Sequence, residues 1–136
     1  MATWDDVERI ANSLPGVEGG TSYGNRAWKV GAKGHAFAWD RPLSKKDLRD
    51  LGDDAPDGPI LAVRLEDVDS REALLAGGPA ACFTIPHFDG YPAVLVRLPE
   101  VDEEELVELL EDAWLSQAPA ALAEEFLADR EKGNER

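Results

Sequence analysis

The chain has 136 residues, 43% of them apolar and 31% charged, which is one domain's worth of ordinary globular composition and argues against wholesale disorder. Its net charge of −14 favours solubility and repels phosphate backbones on average, and its apolar runs are too short to span a bilayer. The first six residues are acidic and polar with no signal-peptide pattern, and the one cysteine, Cys82, cannot close an internal disulfide, so a reduced, cytoplasmic protein is expected.

A first helix is predicted to open at Thr3. Its hydroxyl stands three residues before Asp6, a variant of the capping box, and Trp4, Val7, Ile10, Ala11 and Leu14 recur at helical spacing. Pro15-Gly16 stops it, and the glycines on either side of Tyr23 read as a loop. Strands are predicted over 26–30 and 35–39, joined by a tight turn, Gly31-Ala-Lys-Gly34. Strict alternation puts His35, Phe37 and Trp39 on one face of the second strand and Ala36 and Ala38 on the other. Residues 40–58 are irregular apart from a short helix capped by Ser44 and anchored by Leu48 and Leu51. A strand over 60–65, a helix over 69–76 and strands over 81–85 and 93–98 follow, the last two joined by a wide loop from Pro86 to Pro92. The helix over 102–116 carries Leu106, Leu109, Leu110, Ala113 and Trp114 on one stripe. Pro119 opens a last helix with Leu122, Phe126 and Leu127 apolar. The expected organisation is a single domain over 1–128 with a flexible tail over 129–136. Its fold class is α+β, in two layers: an antiparallel sheet of about five strands with helices packed on one face.

Two stretches carry a family resemblance. One is Pro86-His-Phe-Asp-Gly-Tyr-Pro92 running into Ala93–Leu98. The other is Leu14-Pro-Gly-Val-Glu18 followed by Thr21-Ser-Tyr-Gly24 and Ala27-Trp-Lys-Val30. Together they resemble the MmcQ/YjbR-like family of small bacterial domains over roughly residues 3–128. The resemblance implies a fold similar to the type III secretion chaperones, and a DNA-binding role that such families are commonly assigned from a likeness to winged folds. The segment Arg41–Gly58 is longer and more basic than the minimal family pattern.

The charge is segregated. Residues 26–49 hold Arg26, Lys29, Lys33, Arg41, Lys45, Lys46 and Arg49 against only Asp40 and Asp47, a local +5 that leaves −19 for the rest of the chain. Trp28, Phe37 and Trp39 are interleaved with these cations. Cations hold phosphates and aromatic rings stack on bases, so this block, with Trp28 or Trp39 as the stacking surface, is the candidate contact for DNA or another anionic ligand. Arg64 and Arg97 lie inside apolar strands and, with His87, are secondary candidates for an anion site on the sheet surface. No cofactor or metal site is expected: there is no phosphate-binding glycine loop, and His35, His87 and Cys82 have no ligand spacing. Cys82 and His87 have opposite strand parity and no placed orienting carboxylate, so no enzymatic activity is expected. Two readings stand: a non-enzymatic protein that binds nucleic acid weakly through 26–49, and a chaperone-like module with a protein partner and no nucleic-acid role.

Overall fold

In a computed structural model, which describes residues 2–22, 24–31, 35–56 and 58–134, the chain forms an open antiparallel sheet of six strands with five helices. The elements are α1 (Trp4–Ser13), β1 (Val17–Ser22), β2 (Asn25–Val30), β3 (His35–Asp40), α2 (Lys45–Leu51), β4 (Ile60–Arg64), α3 (Val68–Gly77), β5 (Cys82–Phe83), β6 (Ala93–Arg97), α4 (Glu103–Gln117) and α5 (Ala120–Asn134). The sheet order is β1-β2-β3-β4-β6-β5, and every pairing is antiparallel.

Local signals place the helices. Thr3, Ser44 and Asp102 each close a capping box, accepting from the backbone N–H three residues on while that residue's carboxylate accepts from the cap. Three differences from the sequence reading stand out. Val17–Ser22 is a strand rather than a loop, paired along its length with β2 at the sheet edge. β5 is only two residues long: its pairing with β6 stops at Phe83, although the backbone stays extended at Ile85, where Pro86 opens a 3-10 turn. α5 continues through Asn134, so residues 129–134 are helical where a tail was expected.

α1, α3, α4 and α5 supply apolar side chains to the main core on one face of the sheet, around Phe37, Leu61, Val63, Val94 and Val96. Alternate strand residues supply the other face, where Ile60, Ala62, Ala93 and Leu95 meet Ile85 and Phe88. Leu43 and Leu51 pack on this second cluster, so the short helix α2 lies across from the other four and part of the second face is covered.

Strict alternation fails in β3. Trp28 pairs with Ala38 and Lys29 with Ala36, which leaves Phe37 as the extra residue of a bulge. Phe37 and Ala38 are therefore both in the main core, while Ala36 and Trp39 on either side of them face the second side. The expectation that Phe37 and Trp39 share a face is corrected by this bulge. The Ala32–Gly34 turn with Lys33, Tyr23 and the side chain of His35 lie outside the described residues.

Candidate functional site

The second face carries a groove of about 970 Å³. β3 supplies Ala36, Trp39 and Asp40 to it, the following connection Arg41 to Ser44, and β4 its last residue, Arg64. His87, Phe88 and Tyr91 come from the loop between β5 and β6. Trp39 fits there because its partners across the neighbouring strands are small: Ala27 on β2 and Ala62 on β4. Arg64 is two residues beyond Ala62 and so on the same face, a diagonal neighbour of Trp39 at about 7–8 Å between backbones.

The Tyr91 side of the groove is organised by aromatic and hydrogen-bonding contacts. Gly90 has a φ of 74°, which the turn before Tyr91 requires. Phe88 meets Tyr91 edge-on at 5.5 Å, and His87 tilts against Phe88 at 6.1 Å. Arg64 lies 5.0 Å from the Tyr91 ring centre and donates to its hydroxyl at 2.8 Å. The loop is held from beneath by Arg71 of α3, which is 6% exposed. Its guanidinium donates to the carbonyls of Phe88 at 2.5 Å and Tyr91 at 3.1 Å, and pairs with Glu72 at 2.6 Å.

The charges around the groove are unevenly compensated. Arg41 lies 5.8 Å from the Phe88 ring centre, donates to the carbonyl of Pro42 and pairs with the buried Asp47 at 3.3 Å. Burial is the largest influence on Asp47 and pushes its carboxyl up. The backbone N–H and hydroxyl of Ser44, with the Arg41 guanidinium, outweigh it and hold the group below its ordinary value. Arg64 has no such partner: no described carboxylate pairs with it, and its Nε is buried without a hydrogen bond. A half-buried cation without a counter-ion is costly, and an arriving anion would relieve that cost.

Asp40 lies toward the opposite end of the groove, since it pairs with Leu61, three residues from Arg64. Burial pushes its carboxyl up, with Arg26 pulling the other way. Its raised value means that the charged form is disfavoured in the fold, so this group opposes stability at neutral pH and the opposition fades as pH falls through its titration. Asp40→Asn is therefore expected to strengthen binding of any anion in the groove without loss of thermal stability. Side-by-side titration and melting of the two proteins checks this.

The residues singled out in the sequence separate in space. Trp28 is 2% exposed and stacks on Trp4 at 6.3 Å, so it is a core residue and offers no surface for stacking. Arg26 is exposed beside it, 5.6 Å from the Trp4 ring centre. Lys29 stands opposite Ala36 and shares the groove's face. Lys45, Lys46 and Arg49 are exposed on α2, which begins directly after Ser44 at the groove rim. His87 lines the groove. Arg64 and Arg97 share a face but do not form one site. Arg64 pairs with Ala93 at one end of the β4–β6 ladder and Arg97 with Ile60 at the other, about 13 Å away at strand spacing. Arg97 is also engaged, 4.7 Å from the Phe83 ring centre and 3.7 Å from Glu100. Cys82 packs on the main core, away from His87, and burial pushes its thiol up to about 11. Sequence reasoning passed over Arg71, Phe88 and Tyr91. Their signal lay in the Pro86–Pro92 motif, but their roles depend on α3 and β4 reaching that loop.

Among the described residues there is no cluster of three or more His, Cys, Asp or Glu suited to a metal ion, and no helix long and apolar enough to cross a membrane. The family model described as YjbR matches residues 12–116. The chain is 48% identical over 132 residues to the uncharacterized protein Rv2570 of Mycobacterium tuberculosis, covering 95% of this chain and 98% of that protein. The uncharacterized protein Mb2600 of Mycobacterium bovis matches with the same figures. The crystal structure of the Deinococcus radiodurans protein DR2400, which carries the family-model domain DUF419, superposes with a TM-score of 0.59 at 23% identity, over 85% of this chain and 78% of that one. That likeness concerns the fold alone.

Proposed function

The chain belongs to the YjbR family, and from that premise we propose that it is a non-enzymatic protein that binds a nucleic-acid strand along the second face of its sheet. The observation that carries this reading is Arg64, a groove cation without a carboxylate partner, beside the half-buried indole of Trp39. The α2 cations support it, because no described carboxylate pairs with Lys45, Lys46 or Arg49 and the helix starts at the groove rim. The absence of turnover is supported by the placement of Cys82, whose protonated thiol sits on the far side of the sheet from His87.

The overall −14 charge opposes the interaction, so dissociation constants of about 1 μM or weaker are expected at physiological salt, in the range of non-specific binding. Replacing Lys45, Lys46 and Arg49 together by alanine should weaken binding equally for all base sequences. It should also lower the slope of log affinity against log salt by about one unit per lost phosphate contact. Fluorescence anisotropy with labelled oligonucleotides across a salt series measures both. An absence of binding to DNA and RNA at low salt would overturn the proposal.

A further inference from the structure

We infer that the groove accepts a single unpaired nucleotide, with its base against Trp39 and its phosphate on Arg64, so that the protein selects single strands over duplex. This deepens the nucleic-acid reading above and rests on it for the strand as ligand. The geometry has three parts. Trp39 is the one tryptophan on the groove side: Trp28 and Trp114 are buried in the main core, and Trp4 packs against that core. Arg64 is its diagonal neighbour on the same face, about 7–8 Å away between backbones, and both side chains line the groove. The Tyr91 hydroxyl holds the Arg64 guanidinium at 2.8 Å with the ring alongside it, so the cation is positioned before any ligand arrives.

Stacking on the half-buried indole favours unpaired bases. The loop from His87 to Tyr91 and the connection from Arg41 to Ser44 line the groove together, with the Arg41 guanidinium 5.8 Å from the Phe88 ring centre, and Trp39 packs on the same cluster as Phe88 and Leu43. A base within a duplex presents only its edges and cannot lay its face on a recessed ring, whereas an unpaired base can. Tyr91 is a positioning residue in this scheme, and Arg64 and Trp39 are the contacts.

The test uses a short oligothymidylate (about eight nucleotides), the same sequence as a duplex, and thymidine monophosphate, each titrated into the full chain by tryptophan fluorescence and by anisotropy. The single strand should quench tryptophan emission and bind more tightly than duplex. Trp39→Ala should weaken it by about tenfold, the loss of one base–aromatic stack, while Trp39→Phe restores most of the affinity. Arg64→Gln should weaken the single strand and flatten its salt dependence by about one phosphate. Tyr91→Phe should produce a smaller loss in the same direction. Equal affinity for single strand and duplex, or wild-type binding by both Trp39 variants, overturns the inference. If the α2 triple variant still loses affinity for both forms in that case, the broader nucleic-acid proposal stands. If the monophosphate binds as tightly as the oligonucleotide and the α2 variant changes neither, the groove assignment holds for a free nucleotide and the strand proposal falls.

Discussion

Replacement of Trp114 by alanine is expected to cost about 3–5 kcal/mol of folding stability, a large share of the roughly 5–15 kcal/mol available to a domain of this size. Trp114 is 0% exposed and sits on the α4 stripe with Leu106, Leu109, Leu110 and Ala113. Its indole Nε1 donates to the carbonyl of Pro15 at 3.0 Å, and its ring lies 5.0 Å from that of Phe126. Three elements therefore meet on one side chain: the connection after α1, α4 itself, and α5. Truncation would open a cavity, strand the Pro15 carbonyl and release the Phe126 contact that docks α5. Trp114→Phe keeps most of the volume and loses the hydrogen bond, so its cost should be about 1 kcal/mol plus a smaller packing term. Urea unfolding followed by circular dichroism gives both numbers. A Trp114→Ala protein that melts within a degree or two of wild type would show that this stripe is not the core.

The same helix shows how much of the fold was readable in the sequence. Its period and apolar stripe are local signals, and Leu106, Leu110 and Trp114 act as the spacing implied. β1 was not readable. Val17-Glu-Gly-Gly-Thr-Ser22 has no apolar alternation, because it is an edge strand that needs only the backbone of β2 to pair with. The bulge at Phe37 was also hidden, since a register slip between β2 and β3 is a property of the pair and not of either strand.

The candidate site was legible in its composition more than in its geometry. Arg64 stood out as a charge inside an apolar run, but its partner proved to be Tyr91, 27 residues away, and not Arg97. Only the β4–β6 register shows that the two arginines lie at opposite ends of the ladder. Trp28 and Trp39 looked equivalent as stacking surfaces. The sheet separates them, sending one into the core against Trp4 and the other to the groove. Arg71 gave no signal in the sequence, because its role exists only once it reaches the carbonyls of the Pro86–Pro92 loop.

That last residue carries the second large effect. Arg71→Met should destabilise the fold by about 1.5–3 kcal/mol, since the carbonyls of Phe88 and Tyr91 each lose a charged donor to an apolar side chain of similar length and keep only the backbone N–H groups of Tyr91 and Ala93. Glu72 contributes little to this sum. Its side chain is 61% exposed, so Glu72→Ala should change stability by about 0.5 kcal/mol or less. The contrast separates the two roles of the guanidinium: the exposed ion pair is dispensable, and the loop clamp is not. The damage should also be local in a way that Trp114→Ala is not. Phe88 and Tyr91 shape one wall of the groove, and Tyr91 positions Arg64. Loosening their backbone should therefore weaken anion binding well below the melting temperature, while the main core on the other face of the sheet stays packed. Amide hydrogen exchange resolves this directly. Faster exchange in Arg71→Met should be concentrated between Phe88 and Tyr91, with β2, β3 and α4 unchanged. Uniform acceleration across the whole chain would mean that Arg71 supports the fold at large and does not act as a clamp on this loop.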